Sequence, residues 1–444
     1  MLDVHFGQNL EVGPIRRRQF LRVGALGLTG LTMADLLRLR SRAATGGEAS
    51  RDTAVIQVFL GGGPSHIDTY DPKPDAPSEY RGEFRALATS VAGVAFSELL
   101  PRQARQMHRL AVVRSLHHTT TDHSEGSHWV LTGHAPRQST PRLNERPSVG
   151  SVVAKSRGAN RAGAGAGLPS YVAVPEPPAF GYASYLGPGE NPFSPSGDLA
   201  ANARVPYLDP PPGLTLDRLE DRRALLAKLD QADRRRDLSG TMAGLDRFTA
   251  EAYAMITGPA ARRAFDLSLE DPRRRDRYGR TRVGQACLLA LRLVESGVSF
   301  VTVNEPGWDH HGQIFPGCRR QLPALDAALA ALVEDVYDRG LDRKVLLLVW
   351  GEFGRTPHVN GSAGRDHWPG AFSAVLAGGS LKTGQVVGET GRKGEAPNDR
   401  GVRPEDVIQT LYSVLGIDPS RTFPSENGRP MPILNLGRPI AELL

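Results

Sequence analysis

The chain alternates short, almost wholly apolar runs with stretches of helical periodicity, and no other feature narrows its fold as much. Residues 54–60, 110–114, 171–174, 298–303, 345–350 and 372–376 are rich in branched and aromatic side chains, and turn residues follow several of them. Runs without polar alternation suit strands buried on both faces. Strands of that kind separated by helices predict an α/β class: a three-layer arrangement with a mainly parallel sheet covered by helices on both faces. Helical spacing is clearest for Val283, Ala286, Cys287, Ala290, Leu293 and Val294, ahead of a capping Gly297. A second stripe runs through Leu322, Leu325, Leu329, Leu332 and Val336 to Gly340, and a third helix opens at Pro404 and ends at Gly416. Residues 206–279 are charge-rich and predict a helical insertion. Residues 158–167, mostly glycine and alanine, have too little side chain to pack a core and predict a loop.

The N-terminus carries an address. Arg16, Arg17 and Arg18 precede Phe20 and Leu21, and a glycine-punctuated apolar stretch follows. That order matches a twin-arginine export signal over residues 1–44, and hence export by the twin-arginine machinery to the periplasm or cell envelope. Residues 50–444 are then expected to form a single domain. The formal net charge of +6 is concentrated at this end, where seven arginines against three acids leave only +2 for the remainder. No basic patch with interleaved aromatics appears, so nucleic acid is not an expected partner. With Cys287 and Cys318 as the only cysteines, one disulfide at most can form, and nothing in the spacing indicates it.

Polar clusters follow four of the expected strands, the place where parallel sheets gather functional groups. His66 and Asp68 come after the first, and residues 117–129, with His123 and Ser124, after the second. Asp309, His310 and His311 follow the fourth, and Glu352, Arg355, Asp366 and His367 the fifth. Carboxylates and imidazoles are the donors that suit zinc and related divalent ions. Glycine and small residues around 122–127 suit a helix start whose amides could hold an anion. Arg355 fits either a bidentate contact to an anionic substrate or a pair with a neighbouring carboxylate. His134, His310 and His358 carry the weakest signal.

Taken together, the twin-arginine start, residues 62–73, residues 128–133, residues 351–357 and residues 365–369 resemble the exported bacterial family labelled domain of unknown function 1501. That family is similar to the alkaline phosphatase and sulfatase superfamily, which holds one or two divalent metals at the strand ends of an α/β sandwich. The resemblance implies Asp309, His311 and His367 as one ligand set, with Glu352 in place of a late-strand Asp and Asp68 in place of a first-strand Asp. Asp366 is a further candidate ligand. Gly62 stands where the superfamily has an acid, and the sulfatase pattern of a modified Cys or Ser followed by Pro and Arg is absent.

The expectation is therefore a metal-dependent hydrolase of phosphate or sulfate esters, with zinc preferred and calcium or magnesium as alternatives. Its substrate would be an anionic ester, either a small molecule or a sulfated or phosphorylated glycan. Ser124 or a metal-activated water would attack, His123 would handle the proton and Arg355 would steady the anion. The competing expectation is an exported binding or scaffold protein that kept the fold and lost the chemistry.

Overall fold

The computed structural model describes residues 52–158, 167–195 and 258–444, with isolated positions 218, 221, 253 and 254. The export signal, most of the glycine-alanine loop and most of the charge-rich segment lie outside the described residues. At the centre is a seven-stranded sheet: β1 (Ala54–Phe59), β2 (Ala111–Leu116), β3 (Tyr171–Val174), β4 (Phe300–Asn304), β5 (Val345–Trp350), β6 (Phe372–Gly378) and β7 (Gln385–Val387). Its order is β7-β2-β6-β5-β1-β4-β3. All neighbours are parallel except β6, which runs antiparallel to both β2 and β5. The result is a mixed, mostly parallel α/β sheet. Only the short edge strand β7, outside the apolar runs, escapes the sequence pattern.

The apolar runs are continuous because both faces are covered. Val55, Phe59, Leu346, Leu348 and Trp350 enter one core, while Ile56, Val58, Leu347 and Val349 enter the other. Helices α1 (His123–Thr132), α2 (Val149–Arg157) and α5 (Pro404–Leu415) supply the first core; α3 (Arg282–Glu295) and α4 (Ile314–Asp338) supply the second. Local chemistry sets their ends. Thr281 caps α3 by accepting from the Gly284 N–H, and Asp406 accepts from the Arg403 N–H at the start of α5. Helix α4 begins eight residues before the Leu322 stripe, running through Pro316 and Pro323. Pro323 costs the helix one backbone donor, and the buried stripe on both sides of it outweighs that loss.

Part of the expected insertion is core. Ala261, Ala264, Phe265, Leu267 and Tyr278 pack with α3 and α4. The run Arg273 to Arg275 is not simply solvated: Arg274 Nε donates to Asp335 (2.9 Å) and Arg275 Nε to Gln285 (2.7 Å). Cys287 and Cys318 are both free and buried, and burial pushes both thiols up. No helix among the described residues is long and apolar enough to cross a membrane.

Two histidines make the fold acid-sensitive. Burial holds His118 and His134 down at about 4, and His134 Nε2 lies 3.0 Å from the Ile433 carbonyl oxygen. Between the ordinary value of 6.5 and about 4 the unfolded chain takes up protons that the folded chain refuses, so stability falls as pH drops through that window. Each histidine is expected to contribute on the order of 2–3 kcal/mol to the loss. Urea melts of His134→Gln should show a shallower decline from pH 6.5 to 4; an unchanged slope would remove His134 from the account.

Candidate metal centre

The C-terminal ends of β1, β4 and β5 are level, with Phe59 in register with both Asn304 and Trp350. The loops that leave them are laced together. Gly61 N–H donates to Glu305 O (3.0 Å), and Trp308 N–H donates back to Gly61 O (3.1 Å). This lacing brings Asp309 over the end of β1. A short antiparallel ladder pairing Gly354–Arg355 with His367–Trp368 delivers His367 to the same place. The third contributor is His123, the first residue of α1, whose start is fixed by Asp122 accepting from the Ser124 and Glu125 N–H groups (2.9 and 3.0 Å).

His123, Asp309 and His367 each offer one ligand atom, and these atoms all lie within 4.8 Å of one another. Asp309 Oδ1 lies 3.2 Å from His367 Nε2 and 3.0 Å from His311 Nε2. The two imidazole nitrogens of His311 and His367 are themselves 2.9 Å apart. On the other side, Asp309 Oδ2 is 3.3 Å from His123 Nε2, which is buried yet has no hydrogen-bond partner among the described residues.

Each ring is turned inward by a contact behind it. His367 Nδ1 lies 2.6 Å from the Thr121 carbonyl oxygen, and His123 Nδ1 lies 2.6 Å from Glu352 Oε1. A donor on Nδ1 leaves the Nε2 lone pair for an ion, which is how metal-binding histidines are commonly oriented. The orphaned His123 Nε2 and the inward lone pairs fit a divalent cation. Two imidazoles and one carboxylate leave coordination positions open, as in catalytic zinc sites. The set offers two imidazole nitrogens and one carboxylate oxygen.

The charges agree with this geometry. Burial opposes ionisation of Asp309, but the hydrogen bond and charge of Arg355 hold its carboxyl down at about 2. The hydrogen bond to Glu352 raises His123 against burial, whereas burial lowers His367. His311 in turn holds Asp366 below the usual carboxylate range.

Several residues take places other than those the sequence suggests. Glu352, only 2% exposed, stands behind His123 and accepts the Gly62 N–H at 2.8 Å, so it orients a ligand. Asp366 does the same for His311, at 2.7 Å from its Nδ1. Asp68 is turned to Arg365, with Nε at 2.8 Å and both side chains fully buried, and it also accepts from the Ser65 hydroxyl. Arg365 has drawn Asp68 into a structural ion pair. Arg355 is also fully buried and gives its N–H groups to the Gly62, Gly63 and Arg365 carbonyls and to Asp309, 2.6 Å away. Four of its five N–H groups are engaged there, and it positions Asp309. His66 is held by Gly394, and His358 lies edge-on to Tyr80. Ser124 sits beside His123 in the first turn of α1. Sequence reasoning gave His123 the proton; the signal for its place among the ligands was a histidine directly after a capping Asp, beyond a strand end.

A family model described as "Protein of unknown function (DUF1501)" matches residues 52–444. The chain belongs to the DUF1501 family. No curated protein matches this DUF1501 chain. Solved structures similar to it include Ps i-CgsB in complex with k-i-k-neocarrahexaose, 11% identical, with 82% of this chain and 72% of that chain covered and a TM-score of 0.39. The lipoteichoic acid synthase LtaP from Listeria monocytogenes is 9% identical, with 87% and 76% covered and a TM-score of 0.36. The PsFucS1 sulfatase from Pseudoalteromonas sp. is 12% identical, with 91% and 72% covered and a TM-score of 0.35.

Gly62 also has a geometric reason. Its φ is +112°, and a Cβ there would lie 2.5 Å from the Asp309 nitrogen and 2.8 Å from the Trp308 nitrogen. Gly62→Ala is expected to lower folding stability by at least about 2 kcal/mol, through backbone strain and overpacking together. Chemical denaturation reads this directly, and a variant as stable as the parent would contradict the close approach.

Proposed function

We propose that this chain is an exported, metal-dependent hydrolase of phosphate or sulfate esters. The observation that carries the reading is the convergence of His123, Asp309 and His367 at the strand ends, with the buried His123 Nε2 left without a hydrogen-bond partner among the described residues. His123, Asp309 and His367 would hold the ion, with His311 against them. When bound, the ion supplies a Lewis-acid centre that polarises the ester oxygen. The chain's own groups then have separate duties. Arg355 fixes Asp309 as a carboxylate, Glu352 and Thr121 fix the two rings, and Asp366 steadies His311. Ser124, next to His123, is the candidate protein nucleophile, with water as the alternative. Export rests on Arg16, Arg17 and Arg18 ahead of Phe20 and Leu21.

Metal analysis of the purified chain, followed by assay against 4-nitrophenyl phosphate and 4-nitrophenyl sulfate, tests the reading. The expected result is stoichiometric transition metal and turnover of at least one of the two esters. Ser124→Ala should abolish turnover if the serine attacks and spare it if water does. Absence of both metal and turnover would sink the hydrolase. One observation favours the second reading, a binding or scaffold protein: Arg355 already neutralises Asp309 at 2.6 Å, so the cluster is held together without any ion.

Within the hydrolase, Glu352 is a positioning residue. Glu352→Gln is expected to weaken metal affinity by about 10- to 100-fold, the usual cost of losing an orienting carboxylate. Titration with zinc against a competing chelator reads the change; an unaltered affinity would show that Glu352 does not orient the ligand.

A further inference from the structure

The run Glu352-Phe353-Gly354-Arg355, just beyond β5, reaches every one of the three converging ligands. Glu352 Oε1 lies 2.6 Å from His123 Nδ1, and Arg355 donates to Asp309 at 2.6 Å. Gly354 and Arg355 pair with Trp368 and His367 in the short ladder. Phe353 has no polar side-chain atom and is fully buried. Its contribution is made through its ring face.

That ring lies against both imidazoles. The centroids of Phe353 and His123 are 4.9 Å apart with their planes at 38°, and those of Phe353 and His367 are 4.6 Å apart at 33°. The two imidazoles meet each other at 4.2 Å and 71°, so the three rings form one cluster. Two glycines leave room for it. A Cβ at Gly63 would lie 2.6 Å from Phe353 Cδ2, and one at Gly126 would lie 3.2 Å from Phe353 Cδ1. Gly126 shares a face of α1 with His123, because residues three apart on a helix are neighbours. Phe353 is thus wedged between the start of α1 and the loop after β1. Gly354 is pinned as well, since a Cβ there would strike the Ala371 carbonyl oxygen.

A single hydrogen bond fixes one point of an imidazole and leaves the ring free to swing about it. His123 has such a bond to Glu352, and His367 to the Thr121 carbonyl. A flat face against both rings removes the swing, and because it is one face it couples the two planes. Ligand geometry is held where packing and hydrogen bonds act together. Resting on the metal reading of the centre, we infer that Phe353 is a positioning residue that sets the angle between the two imidazole ligands. Residues 352–355 then form a template that holds His123, Asp309 and His367 in place ahead of the ion.

The test compares zinc affinity, read against a competing chelator, in Phe353→Leu and Phe300→Leu, with a thermal melt of each. Phe300 is equally buried but lies at the start of β4, roughly 13 Å along the strand from the end that faces the centre. Phe353→Leu is expected to lose about tenfold in zinc affinity, the lower end of what losing a ligand's support costs. Phe300→Leu should melt earlier and keep the parent affinity. Phe353→Met fills the space without a flat face and should lose as much, which covers the case of a leucine variant that does not fold. Unchanged affinity in a folded Phe353 variant, or equal losses in Phe353→Leu and Phe300→Leu, would overturn the inference. If the parent binds no zinc, the metal reading fails by itself, and imidazole nitrogen NMR of the metal-free protein in alkaline buffer decides the role of Phe353. A single Nδ1–H tautomer at both histidines in the parent, averaged between two tautomers in Phe353→Leu, upholds positioning; the same tautomers in both proteins overturn it.

Discussion

Replacing His123 and His367 together by alanine is expected to reduce zinc affinity by at least about 100-fold and to leave the protein folded. Of the three groups that can reach one ion, the double variant keeps only Asp309. Asp309 alone is a weak ligand here, because Arg355 already lies 2.6 Å from its Oδ1. His311, with its Nδ1 on Asp366 and its Nε2 3.0 Å from Asp309 Oδ1, can recover only part of the loss, because it adds one imidazole where two have been removed. The cost to the fold is small, because both rings stand partly exposed at the rim, outside either apolar core. Metal analysis after gel filtration, together with a thermal melt, checks both halves of the expectation. Undiminished metal in a folded double variant would move the ion elsewhere.

Asp68→Ala has the opposite signature: a large loss of stability, with metal lost only as a consequence. Arg365 is fully buried and donates to Asp68, to the Tyr80 carbonyl (2.8 Å), to the Thr356 carbonyl (3.1 Å) and to the Pro357 carbonyl. Removing its only carboxylate partner among the described residues leaves a buried guanidinium uncompensated, which typically costs about 3–5 kcal/mol. The damage should spread to the centre, because Arg365 immediately precedes Asp366 and His367, and its carbonyl accepts from Arg355. Urea denaturation is the measurement. A change under about 1 kcal/mol would mean the pair is solvated in solution.

Much of this fold could be read from the chain, and the reason is physical. Strands such as Val345–Trp350, buried on both faces, leave an unbroken apolar run, and Gly297 and Gly416 mark where helices stop. The edge strand Gln385–Val387 leaves no such trace, being three residues long and partly exposed. Donor types at strand ends are legible in the chain, whereas grouping Asp309, His311 and His367 as one set took the family resemblance; the structure groups His123, Asp309 and His367. Donor order was not legible. Glu352 and Asp68 are the right chemistry in the right neighbourhood, but which carboxylate faces inward depends on where Gly62 N–H and Arg365 point. Those are contacts between residues nearly 300 positions apart, and no local spacing encodes them.

The closeness of Gly62 to the backbone at 308–309 makes the two loops interdependent. An acid at position 62 could not be introduced by one substitution, because the new side chain would occupy the room now taken by the peptide carrying Asp309. It would require the opposite loop to retreat first, and that retreat would carry Asp309 away from its neighbours. The glycine and the placement of Asp309 therefore stand or fall together.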